Sequence, residues 1–294
     1  MRVAVAGSQG LIGSAVVSAL RESGHTVVRL VRREALSDDE FSWDPETFGV
    51  PAESLEGVDA VISLGGVGVG NQRWTGRFKQ ELRDSRITPT EVLAEAVARA
   101  GVPTFLSASA TGFYGNTGEH AATETDPSGE GFLADLVIDW ERAATSNAGD
   151  DTRVVLLRTA PVLSRKGGLL SRLKPVFWLG LGGAIGSGEQ YFSWISLPDE
   201  VRAIAFLLES SISGPVNLAA PGAVPFGEFA DALGHSMHRP TVLKVPGFAA
   251  KAVGGEMAEE MILFSQRVAP GVLTRSGFEF RHPRIDDALE YVRG

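Results

Sequence analysis

The sequence predicts a doubly wound α/β fold, a parallel sheet with helices on both faces. Three observations predict it. A short apolar run at residues 3–6 ends in the glycine series Gly7-x-x-Gly10-x-x-Gly13. A stretch with apolar residues at helical spacing and then a β-branched run follow within about thirty residues, the size of one βαβ unit. Strand and helix patterns then keep alternating as far as Pro161, which implies a parallel sheet covered on both sides.

Residues 3–6 are all apolar and stop at glycine, so they read as a buried strand. Residues 11–23 repeat apolar side chains with the helical period, and Gly24-His25 closes that helix. Residues 26–31 are rich in valine and leucine and form a second strand. Residues 59–64 make a strand that ends at Gly65-Gly66. Residues 75–100 are mostly helical, with an interruption expected near Pro89. A strand at 104–107, a helix at 132–145 and a strand at 153–158 continue the alternation. After Pro161 the pattern loosens, and 180–188 is glycine-rich. One more helix (199–210) and one more strand (214–218) precede a tail of short helices and Pro/Gly turns.

A chain of 294 residues with 44% hydrophobic residues can build a sizeable core. Its formal charge of -9 gives no overall basic field, so neither nucleic acid nor membrane is expected as a partner. The absence of cysteine excludes disulfides, thiolate nucleophiles and thiolate metal sites. His235 and His238 lie three apart but lack a carboxylate in ligand spacing, so no metal site is expected. The N-terminal apolar run is too short for a signal peptide, and no apolar stretch is long enough to span a bilayer. The expected setting is cytoplasmic.

The glycine series carries the first chemical signal. Gly7 permits a tight turn, Gly10 lets the backbone approach a pyrophosphate, and Gly13 allows close packing of helix on strand. Ser8 and Gln9 sit inside the turn, and Leu11 and Ile12 open the helix, whose free N–H groups favour phosphate. This strand–turn–helix context reads as a Rossmann dinucleotide site. An NAD site places a carboxylate at the end of the second strand for the ribose hydroxyls. Here that place holds Val31, followed by Arg32 and Arg33. Two guanidiniums suit a 2′-phosphate, so the expected cofactor is NADP(H). Residues 1–165, with 190–218 returning to them, are expected to form the NADP-binding Rossmann domain. Residues 166–189 and 219–294 are expected to form a smaller C-terminal α/β lobe on the substrate side.

Together with Leu64-Gly65-Gly66, the run Ser107-Ala108-Ser109-Ala110-Thr111-Gly112-Phe113-Tyr114-Gly115 resembles the extended short-chain dehydrogenases/reductases (SDRs). Trp43-Asp44-Pro45, Arg73-Trp74-Thr75, Asp84-Ser85-Arg86 and the Gly180–Gly188 run narrow the resemblance to an atypical branch. Its members are epimerase-family proteins, sometimes labelled sugar-nucleotide epimerases or cell-division-inhibitor-like. The resemblance runs nearly end to end. It implies cofactor contacts at Gly7 to Gly13, Val31, Arg32, Leu64, Gly65, Gly66, Glu81, Arg86, Ser107 and Val162. Glu81 and Arg86 could also pair with each other along a helix. By analogy with SDR relatives, the helix at 77–100 and the one beginning at Phe132 are candidate homodimer surfaces.

The resemblance also implies a Ser/Thr and a Tyr-x-x-x-Lys pair on one helix face, with the tyrosine exchanging the proton. Ser109 matches the Ser/Thr position. The other two places fall at Leu133 and Val137, and no tyrosine or lysine occurs between Gly115 and Arg165. Of the three tyrosines, Tyr114 is the candidate substitute acid, with Tyr191 or an ordered water as alternatives. Glu124, Asp126 and Asp135 read as polar loop and helix-face residues. Two functions fit. One is an NADP(H)-dependent oxidoreductase or epimerase acting on a small molecule, a nucleotide sugar or a small carbonyl compound, with Ser109 and Tyr114 at the reacting oxygen. The other is a non-catalytic NADP(H)-binding sensor or interaction protein.

Overall fold

A computed structural model of the chain describes residues 1–293. The first half alternates as follows: β1 (Arg2–Ala6), α1 (Leu11–Glu22), β2 (Thr26–Val31), β3 (Glu40–Ser42), β4 (Ala60–Ser63), α2 (Gly76–Asp84), α3 (Ile87–Ala100), β5 (Thr104–Ala110), α4 (Phe132–Asn147) and β6 (Arg153–Thr159). Short elements follow: β7 (Val162–Leu163), α5 (Leu169–Trp178), β8 (Gly183–Ile185), β9 (Tyr191–Phe192) and β10 (Ile195–Ser196). Then come α6 (Leu197–Glu209), β11 (Gly214–Leu218), β12 (Val224–Pro225), α7 (Phe226–Ser236), β13 (Leu243–Val245), α8 (Gly247–Ala258), α9 (Gly271–Arg275) and α10 (Ile285–Arg293).

Seven strands form one sheet in the order β11-β6-β5-β4-β1-β2-β3. Every pairing in it is parallel. Strand alternation sends Val3 and Val5 into a cluster with Val16, Val17 and Leu20 of α1 and Ile204 and Leu207 of α6. It sends Ala4 and Ala6 to the other side, among Leu93 and Val97 of α3 and Ala144 of α4. Both faces are covered, which is why β1 reads as a continuous apolar run. The doubly wound expectation therefore holds.

One local expectation needs correction, and one element was not foreseen. The break between α2 and α3 falls at Ser85–Arg86, not at Pro89. Pro89 sits in the first turn of α3, where its missing N–H would have had no intrahelical acceptor. The sheet also gains β3, a strand of three residues too short to show a period in the sequence.

The second packing centre gathers Leu170 and Phe177 of α5, Trp194, Phe226 and Phe229 of α7, and Leu289 of α10. Its ladders are small: β13 runs parallel to β8, and β12 antiparallel to β9. A π-helical turn, Glu259–Leu263, ties this region back to the sheet domain. Both oxygens of buried Glu260 accept backbone N–H bonds from Phe132 and Leu133, 2.8 Å each, at the start of α4. A carboxylate is well suited to that helix end. Among the described residues no helix is long and apolar enough to cross a membrane.

Candidate functional site

The chain runs from β1 outward to β3, then crosses to β4 on the other side of β1. The ends of β1 and β4 therefore flank the switch point of the sheet, where such folds bind ligands. The glycine turn fills this place. Gly7 takes φ +78°, and a Cβ there would stand 2.7 Å from the Leu64 carbonyl carbon. At Gly13 a Cβ would collide with the Gly7 carbonyl oxygen, so the start of α1 lies directly on the turn. Replacing Gly13 with alanine is expected to cost about 1–3 kcal/mol in urea denaturation through overpacking. Gly76→Ala, where nothing lies within 4 Å, is the control that should change little.

A cavity of about 180 Å³ opens over the turn, lined by Gly7 to Gly10, Val31, Arg32, Gly65, Gly66 and Arg86 among others. The structure thus joins residues from four separate segments that the sequence reading had assigned to one cofactor. Helix α1 has no side-chain cap at Gly10, which leaves its first N–H groups for an anion. The Ser8 hydroxyl is buried and has no partner among the described residues. A group that supplies acceptor oxygens would satisfy both.

Three arginines surround this cleft in different electrical states. Arg32 is exposed at the rim and makes no direct ion pair among the described residues, though its charge adds to the Glu46 N–H and Thr47 bonds that hold Asp44 below its usual value. Arg33 instead forms a two-pronged pair with Glu40 at 2.8 and 2.7 Å. Gln9, with its amide oxygen turned to Arg33, accepts from it at 2.9 and 2.7 Å. The Arg33 fork holds the Glu40 carboxyl far below the usual range, at about 2. Arg29 adds a second cation at 2.9 Å. A carboxylate therefore stands near the end of β2 after all, delivered by β3, but two guanidiniums neutralise it. Arg86 is the third. It donates to the carbonyls of Val67 (2.8 Å) and Leu82 (3.1 Å) and packs over Trp140. Burial lowers it to about 10, still a cation at neutral pH.

Not every expected contact faces the cleft. Glu81 forms no ion pair with Arg86: α2 ends at Asp84, and the Arg86 side chain turns back to main-chain acceptors. Glu81 lines a neighbouring depression of about 610 Å³ that shares Arg32 and Ser85. The Ser107 side chain is wholly buried, and Val162, Ile12 and Leu64 pack against the core. Leu11 touches Gly168. Conversely, Trp43, Ser63, Ser85, Pro89 and Thr90 line the cavity without having been assigned a role. Trp43 belongs to a sequence motif; its main-chain N–H donates to the Val31 carbonyl at 3.0 Å, while its buried indole N–H has no partner among the described residues.

Ser109 and Tyr114 lie in a buried polar network. Ser109 donates to Glu141 at 2.6 Å. Glu141 is clamped by Arg158 at 2.8 and 2.9 Å. Arg158 also donates to the Tyr114 hydroxyl at 2.9 Å, and that hydroxyl donates to Asn217 at 2.7 Å. Tyr114 is 3% exposed. Burial raises its phenol above the usual value against the pull of Arg158. Its proton is committed inward to Asn217, unlike the free hydroxyl expected of a substitute acid at the reacting oxygen. Leu133 and Val137 of α4 lie against Gly112.

A model of the NAD dependent epimerase/dehydratase family matches residues 3–219. The chain belongs to this family. A second model, a domain of unknown function (DUF1731), matches residues 245–292. The epimerase family protein Mb2239 of Mycobacterium bovis is 51% identical over 291 residues, covering 99% of this chain and 97% of that protein. The crystal structure of human epimerase family protein SDR39U1 with NADPH superposes with a TM-score of 0.91 at 32% identity, covering 100% and 99% of the two chains. A nucleoside-diphosphate sugar epimerase from Corynebacterium glutamicum gives 0.82 at 34% identity, covering all of this chain and 58% of its own. This member of the epimerase family thus has the doubly wound fold of its solved relatives.

Proposed function

We propose that the chain binds NADP(H) in the cleft over the glycine turn and works as an NADP(H)-dependent oxidoreductase or epimerase of the extended SDR type. Arg32 carries the choice of cofactor: it is the cation at the end of β2 that makes no direct ion pair among the described residues. It would meet a 2′-phosphate, while Arg33 keeps Glu40 neutralised and positions Gln9. Gly10 to Gly13, Ser8 and the start of α1 would hold the pyrophosphate, and Arg86 would add a buried positive charge. The NADPH in the human relative's crystal supports this reading. When bound, the cofactor supplies hydride exchange. We assign residues 1–165 with 190–218 to the cofactor and the remainder to the substrate, a small molecule of nucleotide-sugar or carbonyl type.

Calorimetry with NADPH and NADH tests the cofactor. Arg32→Ala should weaken NADPH by about tenfold or more, the worth of a charge-assisted pair, and leave NADH nearly unchanged. Equal losses for both cofactors would reject the assignment. A second reading has its own observation. The hydroxyls of Ser109 and Tyr114 are saturated inside the protein, which suits an NADP(H)-binding sensor without turnover. Oxidation of bound NADPH by any member of a panel of aldehydes, ketones and nucleotide sugars would decide for the enzyme.

A further inference from the structure

We propose that the face made by the end of α5, strand β13 and the start of α8 seats on an anionic lipid surface. Of the 13 large hydrophobic residues exposed among the described residues, ten fall between Val176 and Met261. The most prominent are Trp178 (65%), Leu179 (73%), Val242 (79%) and Phe248 (80%). Side chains that exposed suit a bilayer better than a shaped protein partner. They sit together. Arg239 packs 4.8 Å over the Trp178 ring and donates to its carbonyl, and β13 is held along β8. Phe248 lies in the first turn of α8, and only Pro246 and Gly247 stand between it and β13.

Charge selects the kind of surface. Residues 164–189 and 231–256 hold seven Lys/Arg against three Asp/Glu, while the rest of the chain holds 20 Lys/Arg against 33 Asp/Glu. The overall charge of -9, which argued against a membrane partner, hides this segregation. Long cations such as Lys174 and Lys244 beside protruding aromatic and aliphatic groups match an anionic headgroup layer with apolar chains beneath it. A second copy of the chain fits worse, because a two-fold contact would set these cations against one another.

Flotation of the intact protein with vesicles tests the inference. Vesicles of phosphatidylcholine with about 30 mol% phosphatidylglycerol should bind it, and pure phosphatidylcholine should not. Raising salt should release it. Lys174→Glu with Lys244→Glu should lower the partition coefficient by about tenfold or more, as should Trp178→Ser with Phe248→Ser. Circular dichroism and NADPH affinity, which changes at half-buried Lys174 and exposed Trp178, Lys244 and Phe248 should not alter, separate docking from folding and from the cofactor reading. Failure to bind the anionic vesicles, or equal binding to neutral ones, would overturn it. So would concentration-dependent dimerisation that the serine variants abolish.

Discussion

Replacing Arg158 with leucine is expected to destabilise the protein by about 3–5 kcal/mol, because it strands a buried carboxylate. Arg158 and Glu141 are nearly inaccessible, at 4% and 8% exposure, and their charges face each other across two hydrogen bonds. Burial works against the Arg158 charge, but bonded Glu141 outweighs it and holds the guanidinium above its usual value. Without Arg158, Glu141 would retain only the Ser109 hydroxyl as a side-chain partner, and Tyr114 would lose a donor. Packing is lost too, since the guanidinium lies 3.5 Å over the Phe113 ring. A double variant, Glu141→Leu with Arg158→Leu, removes both charges and should be less destabilised than the two single losses summed. Urea denaturation measures all three. The cofactor cleft has a separate lining, so NADPH affinity of folded Arg158→Leu should match the parent. A loss of affinity with unchanged stability would move this network from the scaffold into the cofactor site.

The parts of the fold that could be read in the sequence are those set by neighbours in the chain. A glycine turn, an apolar strand and an amphipathic helix within one βαβ unit declare themselves locally, and β1, α1 and β2 lie where those patterns put them. What escaped depends on distant partners. Strand β3 has three residues and is stabilised by pairing with β2, yet it brings Glu40 against Arg33 and so divides two adjacent arginines into one ion-paired and one not. Tyr114 looked available because its neighbours Phe113 and Gly115 say nothing of Asn217, 103 positions away, or of Arg158, 44 positions away. Arg86 was picked out by resemblance, but its partners, main-chain carbonyls of Val67 and Leu82, leave no residue signature. The ladders of the second packing centre are two or three residues long and join segments far apart, so no periodicity could reveal them.

Glu200→Gln is expected to remove most of a pH dependence that the native protein shows between mildly acidic and mildly basic solution. Glu200 lies at the first turn of α6 with no exposed surface. One oxygen accepts from Thr159 at 2.9 Å, and the other has no partner among the described residues. The donors near that helix start go to its neighbour Asp199, which accepts from the N–H groups of Arg281 and His282 and from Arg202. Burial pushes the Glu200 carboxyl up from 4.5 to about 8, against a small opposing pull from Thr159. The folded state therefore keeps a proton that the unfolded chain gives up near pH 4.5. Stability is full below that value, falls as pH rises, and levels off above about 8. At about 1.4 kcal/mol per pKa unit the total loss is on the order of 5 kcal/mol. Glutamine keeps the shape and the acceptor for Thr159 without a proton to lose. The variant should thus be close to the parent at pH 5 and more stable than it at pH 8.5, by a few kcal/mol in urea denaturation. Parallel pH profiles for the two proteins would mean that Glu200 is ionised when folded, and a cation or water must then reach the oxygen that has no protein partner.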